Sequence, residues 1–284
     1  MTIRGAYGVS PTPRSIVFDL LGDYVRIQLD GNVRLLAMVK LLQAFDIPEP
    51  TARVLMSRLR REGWFETRRV GREAIYDLSS RTSQLLDEGR NRIFQRTQSH
   101  WDGRWYMVIY SVPESDRNAR DRVRKIAAWL GFGPLASSTW ISPHDRLASL
   151  TAALAGEDKV RLDLLCATSG DVSVDRTMAA RCWDLEKLNG DYARLLHTIC
   201  RRLPDYRAGR LPDRDALVER TDLVHEYRLL PFRDPDLPIE LLPTGWVGHE
   251  AHAAFLEAYE ALREPAERFY LSVAKSPEGF RDAS

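Results

Sequence analysis

The sequence predicts an α+β chain whose character changes three times along its length. Three patterns carry that expectation. An amphipathic helix with arginines on its outer side is followed at once by a basic hairpin within the first eighty residues. Strands then alternate with helices from Trp105 to Cys166, and helical spacing of apolar residues dominates the remainder.

The N-terminal part opens on Pro11–Pro13. Ser15 is the expected cap of a helix carrying Ile16, Val17, Leu20 and Leu21. Asp30-Gly31-Asn32 signals a turn, after which Val33–Phe45 is apolar at helical spacing. Ile47-Pro48-Glu49-Pro50 ends that helix and starts the next, since proline is tolerated in a first helical turn. There Ala52, Leu55, Met56 and Leu59 recur at i, i+3, i+4 and i+7, while Arg53, Ser57, Arg60 and Arg61 fall on the adjoining face. Gly63 ends the helix. Trp64–Val70 and Ala74–Leu78 are strand-like, and Gly71-Arg72 turns between them. Two helices, the second arginine-faced, and a hairpin carrying Arg68, Arg69 and Arg72 make the pattern of a winged helix-turn-helix, expected over residues 1–81. In that arrangement the helix reads base edges in the major groove and the wing grips phosphate. The expected DNA contacts are Arg53, Ser57, Arg60 and Arg61 from the helix and Arg68, Arg69 and Arg72 from the wing, with Arg58 off the reading face and turned inward or to the backbone.

A polar helical linker is expected over 82–99. Trp105–Val112 reads as a strand, Asp116–Leu130 as a helix capped by Ser115, Leu135–Ile141 as a second strand, Arg146–Leu154 as a helix and Val160–Cys166 as a last strand. This order predicts a ferredoxin-like middle domain over 100–174. Gly131-Phe132-Gly133 lacks the third glycine of a dinucleotide loop and is followed by proline, so it is no phosphate cradle. A mostly helical C-terminal domain is expected over 175–284: a helix over Asp175–Ile199, helical character at Thr221–Tyr227, a proline-rich loop from Leu229 to Pro243, a final helix His249–Arg263 and a frayed tail Ser276–Ser284.

Catalytic and metal-binding patterns are weak. His249 and His252 stand three apart, whereas a zinc helix of the HExxH type needs four. His197 and Cys200 have no third ligand nearby, Asp234 and Asp236 suit turn-fixing, and no GxSxG elbow occurs. No catalytic residue, metal site or cofactor is expected.

Composition narrows the class. At 284 residues the chain is long enough for several packed cores without disulfide or metal staples. The three cysteines are scattered and odd in number, and read as reduced thiols in a cytoplasmic protein. No apolar run is long enough to span a membrane. The net charge of +1 excludes a uniformly basic coat, yet residues 53–72 hold seven arginines against Glu62 and Glu66 alone. An isolated run of this kind is ordinarily a solvated helix face. Its placement on a helix-turn-helix and a hairpin gives it a geometric purpose, and guanidinium suits bidentate contact with phosphate and guanine.

Three stretches, in order, carry a family resemblance: Thr51–Leu59 with Glu62-Gly63-Trp64 and Gly71-Arg72; Trp101-Asp102-Gly103-Arg104-Trp105; and Val224–Arg228 continuing through Arg233–Pro238 to Leu241-Leu242-Pro243. The chain resembles the PaaX-type repressors of bacterial phenylacetate degradation. The resemblance implies a homodimeric repressor that binds a double-stranded operator and is released by an aryl-acetyl-CoA thioester such as phenylacetyl-CoA. Such an effector needs cations for its phosphates and an apolar slot, for which His225, Tyr227, Arg228 and Arg233 are the expected residues. The middle domain also resembles the small nuclease subunit of CRISPR adaptation complexes, which makes a metal-dependent nuclease the rival reading. Where that fold carries an aspartate this chain has Ser111, a poor ligand for magnesium.

Overall fold

The computed structural model describes residues 11–28, 31–71, 73–96 and 100–275. Two compact units emerge, and neither is a single stretch of chain. One comprises residues up to Gln95, Tyr192–Leu229 and the chain from Gly248; the other comprises Arg96–Asp191 and Leu230–Val247.

In the first unit, α1 (Pro13–Leu20) continues through a π-helical segment, Leu21–Val25, into a last turn, α2 (Arg26–Gln28). Its cap is Thr12 rather than the expected Ser15: Thr12 is extended, its Oγ1 accepts the Ser15 N–H at 3.1 Å, and Pro13 follows in the first turn, where no N–H is missed. The apolar run expected as one helix from Val33 is divided. β1 (Asn32–Arg34) pairs antiparallel with β3, setting Val33 against Tyr76, and α3 (Leu35–Gln43) begins only afterwards. Apolar spacing alone cannot tell a buried edge strand from the first turn of a helix. α4 (Glu49–Arg61), β2 (Phe65–Val70) and β3 (Glu73–Leu78) follow, giving a three-stranded sheet of order β1-β3-β2. α5 (Ser80–Phe94), expected as a polar connector, sends Phe94 against Phe255 and Tyr259 and buries Ile93.

The same unit takes most of α9 (Leu185–Arg207), with α10 (Asp213–Arg228), α11 (Gly248–Ala261) and α12 (Arg263–Ala274). The expected final helix over His249–Arg263 is thus two helices that meet at Leu262, which is buried. α1 packs on α10, and α12 on both α10 and α3.

In the second unit, β4 (Trp105–Ser111), α6 (Arg117–Trp129), β5 (Gly133–Ala136), β6 (Thr139–Ser142), α7 (Leu147–Ala153) and β7 (Arg161–Ala167) form an antiparallel sheet of order β5-β6-β4-β7. The strand expected over Leu135–Ile141 is a hairpin, because Ser137-Ser138 turns the chain; Tyr110 holds that turn, its N–H donating to the Ser138 carbonyl and its hydroxyl to that of Ser137. Asp116, not Ser115, caps α6 by accepting the Ala119 N–H at 3.1 Å. One core, under α6 and α7, contains Val108, Tyr110, Val123, Phe132 and Leu150. Another is built from Trp101, Trp105, Ile141, Leu237 and Leu241 together with α8 (Val172–Cys182). The single helix expected over Asp175–Ile199 breaks at Trp183, whose backbone is extended. A short 3-10 turn, Ile239–Leu241, interrupts the proline-rich segment. Within that segment Asp234 fixes a turn: one carboxylate oxygen accepts the Asp236 N–H at 2.8 Å while the other takes the Arg96 guanidinium at 2.6 Å.

The tail expected over Ser276–Ser284 lies outside the described residues. Among the described residues no helix is long and apolar enough to cross a membrane. Cys166 and Cys200 are exposed, while burial pushes the Cys182 thiol up to about 11 by disfavouring the thiolate. At pH 8 a disulfide-exchange reagent should titrate two thiols of the native chain promptly. The third should react only after denaturation; three fast thiols would contradict the burial of Cys182.

Candidate nucleic-acid interface

α4 follows α3 through Ala44–Pro48, a turn in which Asp46 adopts φ +62°. Ala52, Met56 and Leu59 are buried and anchor its inner face. Arg58, Arg60 and Arg61 crowd the last turn, where cations complement the helix dipole. Gly63, at φ +80°, closes the helix in the left-handed conformation that glycine adopts without strain. Its N–H reaches the Arg60 carbonyl at 3.0 Å and the Trp64 N–H reaches Leu59 at 3.1 Å, the paired bonds of a Schellman motif. The chain therefore leaves α4 directly into β2.

A carboxylate holds this corner. Glu62 accepts hydrogen bonds from Arg14 at 2.6 Å, Arg58 at 2.9 Å and Trp64 Nε1 at 3.2 Å. The Arg14 bond, followed by that of Arg58, holds the Glu62 carboxyl below its ordinary range. The Trp64 ring meets Phe18 edge-on, 4.6 Å between centroids, and the Arg14 guanidinium lies over both. Phe65 packs edge-on against Tyr76 across β2 and β3. Val70 registers with Glu73, and Gly71, at φ +62°, leaves β2 in the left-handed conformation.

The expected contact residues fall into two groups. Arg60, Arg61 and Arg69 are exposed and pair with no carboxylate among the described residues. Arg53 is held by Glu49 one turn back at 2.7 Å, Arg58 by Glu62, and Arg68 by Asp77 at 3.0 Å. Such exposed pairs are weak and yield to a competing phosphate. Ser57 is half-buried on the helix flank. Arg72 lies outside the described residues. One residue absent from the sequence expectation is Val54, 67% exposed at the outer crest of α4 beside the arginines. It lies 200° around the helix from Ala52, so periodicity signals its position.

The residues expected to hold an effector are engaged in internal contacts. His225 and Arg228, on α10, both meet Asp19 of α1, at 2.8 and 2.9 Å, and His225 and Asp19 are buried. Arg228 Nη2 also lies 3.2 Å from His225 Nδ1, so the imidazole, the guanidinium and the carboxylate form one cluster. Tyr227 is buried, stacked on Phe255 at 3.9 Å and bonded through its hydroxyl to His252 Nδ1 at 2.6 Å. Arg233 belongs to the second unit and pairs with Asp191 at 2.7 Å. Next to Asp19, Asp23 accepts the Tyr259 hydroxyl at 3.0 Å, and burial raises its carboxyl. The Arg220 guanidinium lies 3.7 Å over the Tyr259 ring. Ser111 ends β4, exposed and registered against Arg161.

A rigid helix and hairpin that together present guanidinium groups define a surface for a polyanion. Known proteins narrow this further. Residues 12–82 match the family model described as PaaX-like protein, 98–179 the PaaX protein central Cas2-like domain, and 183–272 the PaaX-like protein C-terminal domain. The chain belongs to the PaaX-like family. It is 29% identical to the transcriptional repressor PaaX of Escherichia coli (strain K12) over 262 residues, which are 90% of this chain and 82% of that one. Among solved structures, the uncharacterized protein Rv0674 from Mycobacterium tuberculosis shares the fold, with a TM-score of 0.61, 24% identity, and coverage of 90% of this chain and 98% of that one.

Replacing Asp19 with Ala would leave a buried imidazole and a guanidinium without their carboxylate. The expected loss of stability is about 3–5 kcal/mol, read from urea unfolding monitored by circular dichroism. A loss below 1 kcal/mol would mean that Asp19 does not tie α1 to α10 energetically.

Proposed function

We propose that the chain is a DNA-binding transcriptional repressor of an aromatic-acid, phenylacetate-type catabolic operon. The observation that carries this reading is the exposed arginine face of α4 set rigidly against the β2–β3 hairpin. The order α1, β1, α3, α4, β2, β3 supports reading the N-terminal part as a winged helix-turn-helix with α4 as its recognition helix. The strand order β5-β6-β4-β7, with α6 and α7 on one face, supports a ferredoxin-like middle domain.

In this reading α4 enters the major groove. Arg53, Ser57, Arg60 and Arg61 reach base edges and flanking phosphates, and Val54 offers an apolar contact to a thymine methyl. Arg68, Arg69 and Arg72 lie along the backbone. Arg58, tied to Glu62, orients the corner or meets a phosphate beside it. A homodimer presents two such helices to half-sites one or more turns apart, roughly 34 Å per turn. An aryl-acetyl-CoA thioester such as phenylacetyl-CoA releases the operator by binding better to the arrangement that does not fit DNA; a thousandfold fall in occupancy takes about 4 kcal/mol of such preference. Arg228 and Arg233 keep part of their side-chain surface in solvent and are the members of the expected effector set this reading leaves open to a phosphate. Ser111 opposite Arg161 favours this regulatory reading over magnesium-dependent cleavage.

The test of function is a gel-shift titration on the DNA upstream of the protein's own gene, with and without phenylacetyl-CoA. Retarded operator released by the thioester is the expected result; magnesium-dependent cleavage of the probe would replace the repressor with a nuclease. Two variants divide the contacts. Arg53→Ala should cost about 1–3 kcal/mol on the cognate operator and relax preference at one position. Arg69→Ala should weaken cognate and random DNA alike and flatten the salt dependence by about one unit. Identical behaviour of the two variants on both DNAs would refute the division between helix and wing.

A further inference from the structure

The second unit contains an open cleft of about 540 Å³ that none of the four expected effector residues lines. That is the size of small-molecule sites, which run from roughly 300 to 1,000 Å³. Its wall is aromatic and aliphatic: Trp183, Leu185, Leu241 and Leu242. Trp183 is rigidly placed. Its backbone breaks the path from α8 into α9, and its ring lies against Gly133, where an added Cβ would come within 2.5 Å of the indole. Trp105 lies 6.4 Å from the Trp183 ring and nearly parallel to it, and Trp101 meets Trp105 edge-on at 5.4 Å. Trp105 is fixed in turn by donating its Nε1–H to the buried Asp175 at 2.7 Å. A half-buried indole fixed by these neighbours and lining a cleft offers aromatic surface to a flat ring.

The polar groups at the cleft sort its ligands by charge. Arg176 is exposed, and among the described residues its one hydrogen bond is from Nε–H to the Glu240 carbonyl at 2.7 Å, which leaves its terminal N–H groups to a ligand. Asp184 and Glu186 also line the cleft; Asp184 accepts the Lys187 N–H at the start of α9. Two carboxylates beside one guanidinium disfavour a free aryl carboxylate. They accept a neutral aryl-acyl group whose carbonyl oxygen takes a hydrogen bond from Arg176.

We propose that this cleft binds the aromatic acyl end of an aryl-acetyl thioester, with the ring on Trp183 and the carbonyl on Arg176, and discriminates against the free acid. The assignment rests on the effector reading above and gives it a location. Isothermal titration calorimetry of the full chain tests it with three probes: phenylacetyl-CoA, the short neutral thioester phenylacetyl-N-acetylcysteamine, and phenylacetate. The two thioesters should bind and phenylacetate should bind at least roughly tenfold more weakly, the loss expected when a charged group is set beside like charges. Ala180→Phe, which fills the cleft from the exposed side of α8, should abolish binding of the short thioester. Arg176→Ala should weaken it roughly tenfold or more, as for loss of one hydrogen bond from a charged donor. If Ala180→Phe does not fold, Arg176→Ala decides, and unchanged affinity overturns the site. Absence of short-thioester binding to the unaltered chain, or its equal binding to folded Ala180→Phe, overturns it too. Operator release by phenylacetyl-CoA with the same dose response in Ala180→Phe removes the cleft and leaves the effector reading standing. Binding in the cleft without any operator release does the reverse.

Discussion

The left-handed closure at Gly63 is the constraint on which the presentation of the arginines depends. It lets two backbone N–H groups reach back to Leu59 and Arg60 and sends the chain into β2 without a loop. Glu62 then joins α1, α4 and the turn into β2, because the guanidinium groups of Arg14 and Arg58 and the indole of Trp64 converge on one carboxylate. Long cationic side chains are otherwise costly to order. Here the bonds at Gly63 and Glu62 fix helix against hairpin, so that in the proposed DNA-binding reading the side chains alone are left to order.

Much of this interface was legible from residue order. Periodicity in Ala52, Met56 and Leu59 defines the inner face of α4, Gly63 and Gly71 mark its end and the hairpin turn, and i to i+4 spacing anticipates the pair of Glu49 with Arg53. The features that escaped are those decided by distant partners. Val33 joins a strand because β3 lies alongside it, and Leu135–Ile141 divides because Tyr110 captures the turn between its halves. Asp19 and Asp23 look like solvent-facing carboxylates on an amphipathic helix. Their partners, His225 and Tyr259, stand more than two hundred positions away, beyond the reach of any local pattern. The same blindness affects Tyr227, where a polar tip suggests a ligand contact while the ring is the centre of an aromatic stack.

Three family matches follow one another along the chain, whereas the compact units interleave it. The C-terminal match, 183–272, supplies α10, α11 and α12 to the first unit and residues 230–247 to the second. Leu241–Thr244, which line the cleft beside Trp183, thus belong to a segment whose two ends run directly into α10 and α11. α10 carries His225 and Arg228, the partners of Asp19 on α1. The chain thus passes without interruption from α10 through the cleft segment into α11.

The buried ties of α1 bear on how the protein can be dissected. A fragment cut at residue 81, the boundary that local patterns suggest, would retain the carboxylates of Asp19 and Asp23 and the rings of Tyr24 and Phe18. It would shed His225, Arg228, Arg220, Tyr259 and Tyr270, against which that helix is neutralised and packed. Two stranded acids on a newly bared apolar flank make a poor autonomous module. The N-terminal elements are completed by α10, α11 and α12.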